Sequence, residues 1–154
     1  MIRGLNHAAL ATSDMEKCLA FYEGLLGFEK VNEFGWPKGV EAADQLTGLK
    51  DSAAQCVVLK AGQSFLEIFQ FTSPEPKPAD PDRRLCDVGV AHLSVDVTDL
   101  DHEYARLMEH GVSFINEPMW GGEGVRVAYG RDPDGNIVEL QEITDPKHPM
   151  YRPE

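Results

Sequence analysis

Apolar and polar positions follow two rhythms along this chain, and the same succession of rhythms occurs twice. A short apolar run containing a histidine, His7-Ala8-Ala9-Leu10-Ala11, predicts a strand, and His92-Leu93-Ser94-Val95-Asp96 predicts another 85 residues later. Each run is followed by hydroxyl-Asp-apolar-acid: Ser13-Asp14-Met15-Glu16 in the first half and Thr98-Asp99-Leu100-Asp101 in the second. This is a helix-start signature in which the hydroxyl caps a free N–H and the acids suit the positive end of the helix dipole. The period then changes to that of a helix. Met15, Cys18, Leu19, Tyr22 and Leu26 form one apolar stripe, and Leu100, Tyr104, Leu107 and Met108 form the other. Gly27 and Gly111 follow the stripes, where a left-handed residue ends a helix.

Further strands are predicted at 55–59 and 65–71 around a hairpin-like connection, and at 125–129 and 136–142 around Asp132-Pro133-Asp134-Gly135. Each half reads β-α-β-β-β. The boundaries expected are a first module over 1–72, a proline-rich linker over 73–87, a second module over 88–143 and an extended tail over 144–154. Residues 35–52 form an insert, a candidate lid, with one or two helical turns over 41–46.

Charge narrows the partners. Asp plus Glu number 26 against 14 Lys plus Arg, a net charge of −12 with no basic run, which argues against nucleic acid and against an anionic membrane surface. No apolar stretch reaches the ~18 residues of a membrane helix, and the N-terminus lacks a signal-peptide core. Cys18, Cys56 and Cys86, odd in number and widely spaced, point to reduced thiols in a cytoplasmic protein.

Candidate chemistry lies in the repeat itself. Glu67 interrupts Phe65-Leu66-Glu67-Ile68-Phe69, and Glu139 interrupts Ile137-Val138-Glu139-Leu140. Alternation places Glu67 with Phe65, Phe69 and Phe71, and Glu139 with Ile137 and Gln141. A carboxylate among apolar neighbours is costly unless paired or bound to a cation. His7 and His92 recur in the first strand of each half, so two imidazoles and two carboxylates repeat together. That mixed N/O set suits a divalent Zn, Ni, Co, Fe or Mn ion. Trp36 and Trp120 fall in Gly/Pro-containing loops and could cover a substrate or pack a loop base. Arg126 is a candidate for an anionic group, though an exposed strand arginine is the commoner case. His102, His110 and His148 have no repeated partner and are excluded from the site.

Four segments carry a family resemblance: Leu5-Asn6-His7, Phe21-Tyr22-x-x-Leu25-Leu26-Gly27-Phe28, Gly89-Val90-Ala91-His92-Leu93-Ser94-Val95, and Asp132-Pro133-Asp134-Gly135-Asn136-Ile137-Val138-Glu139-Leu140. On these the chain resembles, from about residue 2 to 143, the vicinal oxygen chelate superfamily of glyoxalase I, methylmalonyl-CoA epimerase, extradiol dioxygenases and bleomycin or fosfomycin resistance proteins. The resemblance implies an α+β fold in which two βαβββ modules form a curved, barrel-like mixed sheet around one site. It implies His7, Glu67, His92 and Glu139 as metal ligands, with Glu139 or Glu67 loosening to move a proton. It further implies a homodimer acting on a small molecule with vicinal oxygens, as a metal-dependent lyase, isomerase or epimerase. An extradiol ring-cleaving dioxygenase, with His7, His92 and Glu139 on iron, is the first alternative. A metal-free ligand-sequestering resistance protein is the second. The arginine expected soon after the first histidine of a glyoxalase is replaced by Ala8-Ala9-Leu10-Ala11, so glutathione does not carry over.

Overall fold

A computed structural model describes residues 1–80 and 82–153. The chain divides into two compact units, Met1–Ala79 and Asp80–Glu154. The first contains β1 (His7–Ala11), α1 (Met15–Leu19), β2 (Glu29–Trp36), α2 (Glu41–Thr47), β3 (Ala53–Ala61) and β4 (Ser64–Ser73). The second contains β5 (Leu93–Asp96), α3 (Leu100–Glu109), β6 (Met119–Gly122), β7 (Val125–Arg131) and β8 (Ile137–Ile143). Strand order is β1-β4-β3-β2 in one sheet and β5-β8-β7-β6 in the other. In both, the first strand lies parallel to the last and the remaining pairs are antiparallel. The chain is therefore α+β, built of two βαβββ modules, and among the described residues α2 has no counterpart in the second module.

The helices start as their sequences require, with one correction. The N-cap position falls on the aspartate, one residue past the hydroxyl. Asp14 accepts from the Lys17 N–H and Asp99 from the His102 N–H, each at 3.1 Å. A carboxylate caps as well as a hydroxyl and adds charge at the positive end of the dipole. Helix α1 passes into a π-helical turn, Ala20–Leu25, before Gly27 takes φ +72° and turns the chain out.

Each sheet buries one face against its helix. In the first module Leu66 and Ile68 of β4 pair with Leu59 and Val57 of β3, and all four are buried with Met15, Cys18, Phe21 and Tyr22. The second module repeats this with Val138 and Leu140 of β8, Ala128 of β7, and Leu100 and Leu107 of α3. Met108, placed on the stripe by periodicity, faces solvent, and Val112 beyond the helix is buried instead. Alternation then commits Glu67, Phe69 and Phe71, and likewise Glu139 and Gln141, to the opposite faces.

Strands β2 and β6 are absent from the residue ranges expected above. The β2 strand is an edge strand, exposed along almost its whole length, with a register shift between Lys30 and Asn32 that breaks alternation. The β6 strand is four residues long and ends in two glycines. Trp36 and Trp120 consequently lie in strands rather than loops. Trp36 packs on Phe69 and Phe71, with centroids 6.4 and 6.1 Å away. The insert does hold a helix, α2, but it is tied down. Asp44 accepts from the N–H groups of Asp51 (2.8 Å) and Ser52 (2.7 Å) and from the Ser52 hydroxyl (2.7 Å), which in turn accepts from Trp36 Nε1 at 3.0 Å. These bonds hold the Asp44 carboxyl below its ordinary pKa, the Ser52 hydroxyl contributing most.

Candidate metal centre

The predicted residues come together as two pairs with one geometry. His7 Nε2 lies 3.4 Å from a Glu67 carboxylate oxygen in the first module. In the second, His92 Nε2 lies 3.4 Å from Glu139. Register produces this twice. The residue opposite Glu67 in the parallel neighbour is Ala9, and that opposite Glu139 is Ser94; each sits two positions past its histidine. Because period 2 keeps side chains on one face, the histidine reaches the glutamate over a small residue. Among the described residues, no cluster of three or more His, Cys, Asp or Glu side chains forms, so each module carries half of the proposed ligand set.

The donor chemistry of each pair fits a divalent ion. Donors at about 2.0–2.2 Å from one ion stand about 2.8–3.6 Å apart for right-angled to tetrahedral geometry, and both pairs, at 3.4 Å, lie within that range. His7 Nδ1 is 3.1 Å from Asn6 Oδ1, which can only accept, so Nδ1 carries the proton there. The other ring nitrogen, Nε2, faces the Glu67 carboxylate. One ring nitrogen held by an outer partner leaves the other available as a ligand, an arrangement compatible with metal ligation. In the second module His92 Nδ1 is buried and has no hydrogen-bond partner.

The pairs differ in their surroundings. The Glu139 side chain is 6% exposed, that of Glu67 22%. Directly across the β7–β8 ladder from Glu139 stands Tyr129, whose ring meets His92 edge-on at 5.4 Å. Burial, with a hydrogen bond to Glu139 and its negative charge, pushes the Tyr129 phenol up to about 12. The equivalent position across from Glu67 is Val58. Beside Glu67 the buried Cys56 thiol is pushed up to about 11, first by burial and then by the carboxylate's charge. A ring cluster lines the same face: Phe69 stacks on Phe71 at 5.9 Å and meets Phe34 edge-on at 6.2 Å. Tyr129 escaped the sequence reading, although counting back from the Asp132–Gly135 turn places it opposite Glu139. Asp132 fixes that turn by accepting from Asp134 N (3.0 Å), Asn136 N (2.8 Å) and Asn136 Nδ2 (2.8 Å).

The other candidates go elsewhere. Arg126 alternates to the helix-bearing face, where Asp101 of α3 grips it with two bonds of 2.8 and 2.9 Å and Glu142 adds one of 3.2 Å. The Asp101 contact raises the arginine's pKa and Arg126 lowers that of Asp101. This guanidinium is structural. His102 is exposed, and His110 Nδ1 lies 2.8 Å from the Arg106 carbonyl at the C-terminal end of α3.

Repeated βαβββ modules with a histidine at the start of the first strand or just before it and a glutamate on the last define a vicinal-oxygen-chelate fold. The chain belongs to the Glyoxalase/Bleomycin resistance protein/Dioxygenase superfamily, whose pattern it matches over residues 4–140. It is 30% identical over 141 residues to the uncharacterized protein YaeR of Escherichia coli, covering 92% of this chain and 97% of that one. A glyoxalase family protein of Bacillus cereus superposes with a TM-score of 0.83 at 20% identity, covering 94% and 97% of the two chains. The fosfomycin resistance protein FosX of Listeria monocytogenes, solved with Mn(II) and sulfate, superposes at 0.60 with 20% identity, covering 92% and 93%. Among the described residues, no helix is long and apolar enough to cross a membrane.

Proposed function

We propose that this chain is a divalent-metal-dependent enzyme of the lyase, isomerase or epimerase kind, enolising a small substrate with oxygens on adjacent carbons. The observation that carries this reading is the duplicated His–Glu pair, with the same 3.4 Å separation in both modules. His7, Glu67, His92 and Glu139 would hold one Zn, Ni, Co, Fe or Mn ion. A relative of the same fold carrying Mn(II) supports a divalent ion in such a site. Two carboxylates balance the ion's charge, and two imidazoles supply the nitrogen ligands. A homodimer is the assembly proposed, on the family resemblance. The compartment proposed is the cytoplasm, and neither nucleic acid nor membrane is a partner.

When bound, the ion supplies Lewis-acid stabilisation of the charge that develops on a substrate oxygen as a neighbouring C–H proton leaves. The chain supplies the base. Glu67 or Glu139 accepts the proton at a carboxylate oxygen and returns it to the same or the adjacent carbon. Phe69, Phe71 and Phe34 offer the apolar surface against which the organic part of a substrate packs and from which water is displaced.

Metal analysis of the purified protein, followed by proton–deuterium exchange over a panel of 2-oxo and 2-hydroxy compounds, tests the reading. About one divalent ion per site is expected, with exchange that stops on chelation and in Glu139→Gln. Full turnover in Glu139→Gln would remove that residue from the site, and oxygen uptake with catechols would favour ring cleavage. Tight stoichiometric ligand binding, indifferent to chelator and without turnover, would make it a sequestering protein.

A further inference from the structure

The two pairs share a backbone but not a setting, and one of the differences lies at a single register position. Tyr129 faces Glu139 across an antiparallel ladder, where Val58 faces Glu67. Tyr129 is fixed through its backbone as well as its ring. Its N–H donates to Asn116 Oδ1 at 3.0 Å and its carbonyl accepts from the Ile115 N–H at 2.6 Å, so one flank of β7 is bonded there while β8 takes the other. Its ring is held edge-on to His92 at 5.4 Å. Register sets that phenol opposite Glu139 and its ring against His92; valine in the first module has no hydroxyl to give.

We infer that Tyr129 is the positioning residue of the second pair, its hydroxyl orienting the Glu139 carboxylate and its ring fixing the His92 imidazole. This rests on the proposed metal-dependent reading. A ligand whose orientation is fixed by an outer partner loses about 10–100-fold in metal affinity when that partner is removed. Glu67, more exposed and facing Val58, keeps the freedom that a carboxylate leaving and rejoining an ion requires.

The full-length protein, stripped of metal, is titrated with Co(II) against a competing chelator, as wild type and as Tyr129→Phe. The expected result is a Co(II) dissociation constant about 10–100-fold higher in the variant, with the melting temperature of the metal-free protein unchanged. A second measurement uses Zn(II), which has no visible spectrum. Of the four tyrosines, Tyr129 alone should give a near-ultraviolet phenol difference on Zn(II) addition, so the signal present in wild type vanishes in Tyr129→Phe. Equal Co(II) affinity in the two proteins, or a weaker one that merely tracks a lower metal-free melting temperature, overturns the inference. A Zn(II)-induced phenol signal that survives in Tyr129→Phe does the same. Failure of the wild type itself to bind Co(II) overturns the metal-dependent reading beneath it, an outcome separable from the others.

Discussion

The two modules carry the same device, a histidine at or just before the first strand 3.4 Å from a glutamate on the last, inside different neighbourhoods. Around Glu67 lie aromatic rings, a buried thiol and Val58; around Glu139 lie Tyr129 and an almost closed surface. The helix-bearing faces differ at equivalent positions too. In the second module Arg126, Asp101 and Glu142 form an ion-paired triad. In the first, Gln55 pairs with Gln70, whose amide accepts from the Met15 N–H at 3.2 Å and donates to the Ser13 carbonyl at 3.1 Å. Both solutions tie a helix start to a sheet, one with charges and one with an amide. The comparison teaches that register is what the duplication preserves. A row of the ladder may change its chemistry, provided that the histidine and glutamate rows stay in step.

The largest effects should come from the pairs themselves. Glu139→Gln and Glu67→Gln keep volume and remove charge, and each should weaken divalent-metal binding by at least about 100-fold, beyond the loss typical of an outer-shell partner. Competitive metal titration and substrate proton exchange check this, with circular dichroism to show that both variants fold. Loss in one variant alone would mean that only one module carries the ion.

Next come the buried faces, where the modules should behave alike. Ile68 and Leu140 each follow the glutamate by one residue and are 0% and 1% exposed. Ile68→Ala or Leu140→Ala should cost about 2–5 kcal/mol in chemical denaturation. If one costs far less, its sheet repacks and the modules are not energetically equivalent.

Much of this is legible in the sequence, and the reasons are physical. A strand–cap–helix–glycine succession that occurs twice leaves little freedom in how each half folds, and a glutamate inside an apolar strand announces its own cost. The failures were equally local. The β2 strand was missed because an edge strand buries neither face and a bulge at Val31 breaks its alternation. Trp36 was read as a loop residue because Gly35 and Pro37 flank it. Tyr129 looked like any strand aromatic, since its role depends on which residue the hairpin places opposite, and Asp132 decides that. Arg126 invited a ligand role that only the three-dimensional pairing with Asp101 removes.

The insert, which only the first module has, comes next in size. Ser52 is fully buried and receives Trp36 Nε1 while donating to Asp44. Ser52→Ala leaves both without that partner and should destabilise the first module by about 1–3 kcal/mol. Hydrogen exchange should speed up in α2 and at the end of β2 while the second module is unmoved. Uniform acceleration over both modules would mean that the insert is not the local staple it resembles.

The smallest effect is a pH dependence confined to the second module's triad. Arg126 holds the Asp101 carboxyl below its ordinary value of 3.8. A carboxylate whose folded pKa is depressed contributes stability that is fully present above its unfolded pKa and is lost as pH falls through the folded value. The advantage of wild type over Asp101→Asn should thus be constant near neutrality and shrink below about pH 4, disappearing once Asp101 is protonated in both states. Because the pair is exposed on the Asp101 side, the difference should be small and should narrow further in high salt. Gln70 in the first module does not titrate, so Gln70→Ala should lower stability by the same amount at pH 7 and pH 3. Denaturation of wild type and both variants at those two pH values, at low and high salt, decides the matter. A pH-independent Asp101→Asn effect would show that the guanidinium is held by Glu142 and by Trp120, whose ring it overlies at 5.8 Å, rather than by the helix.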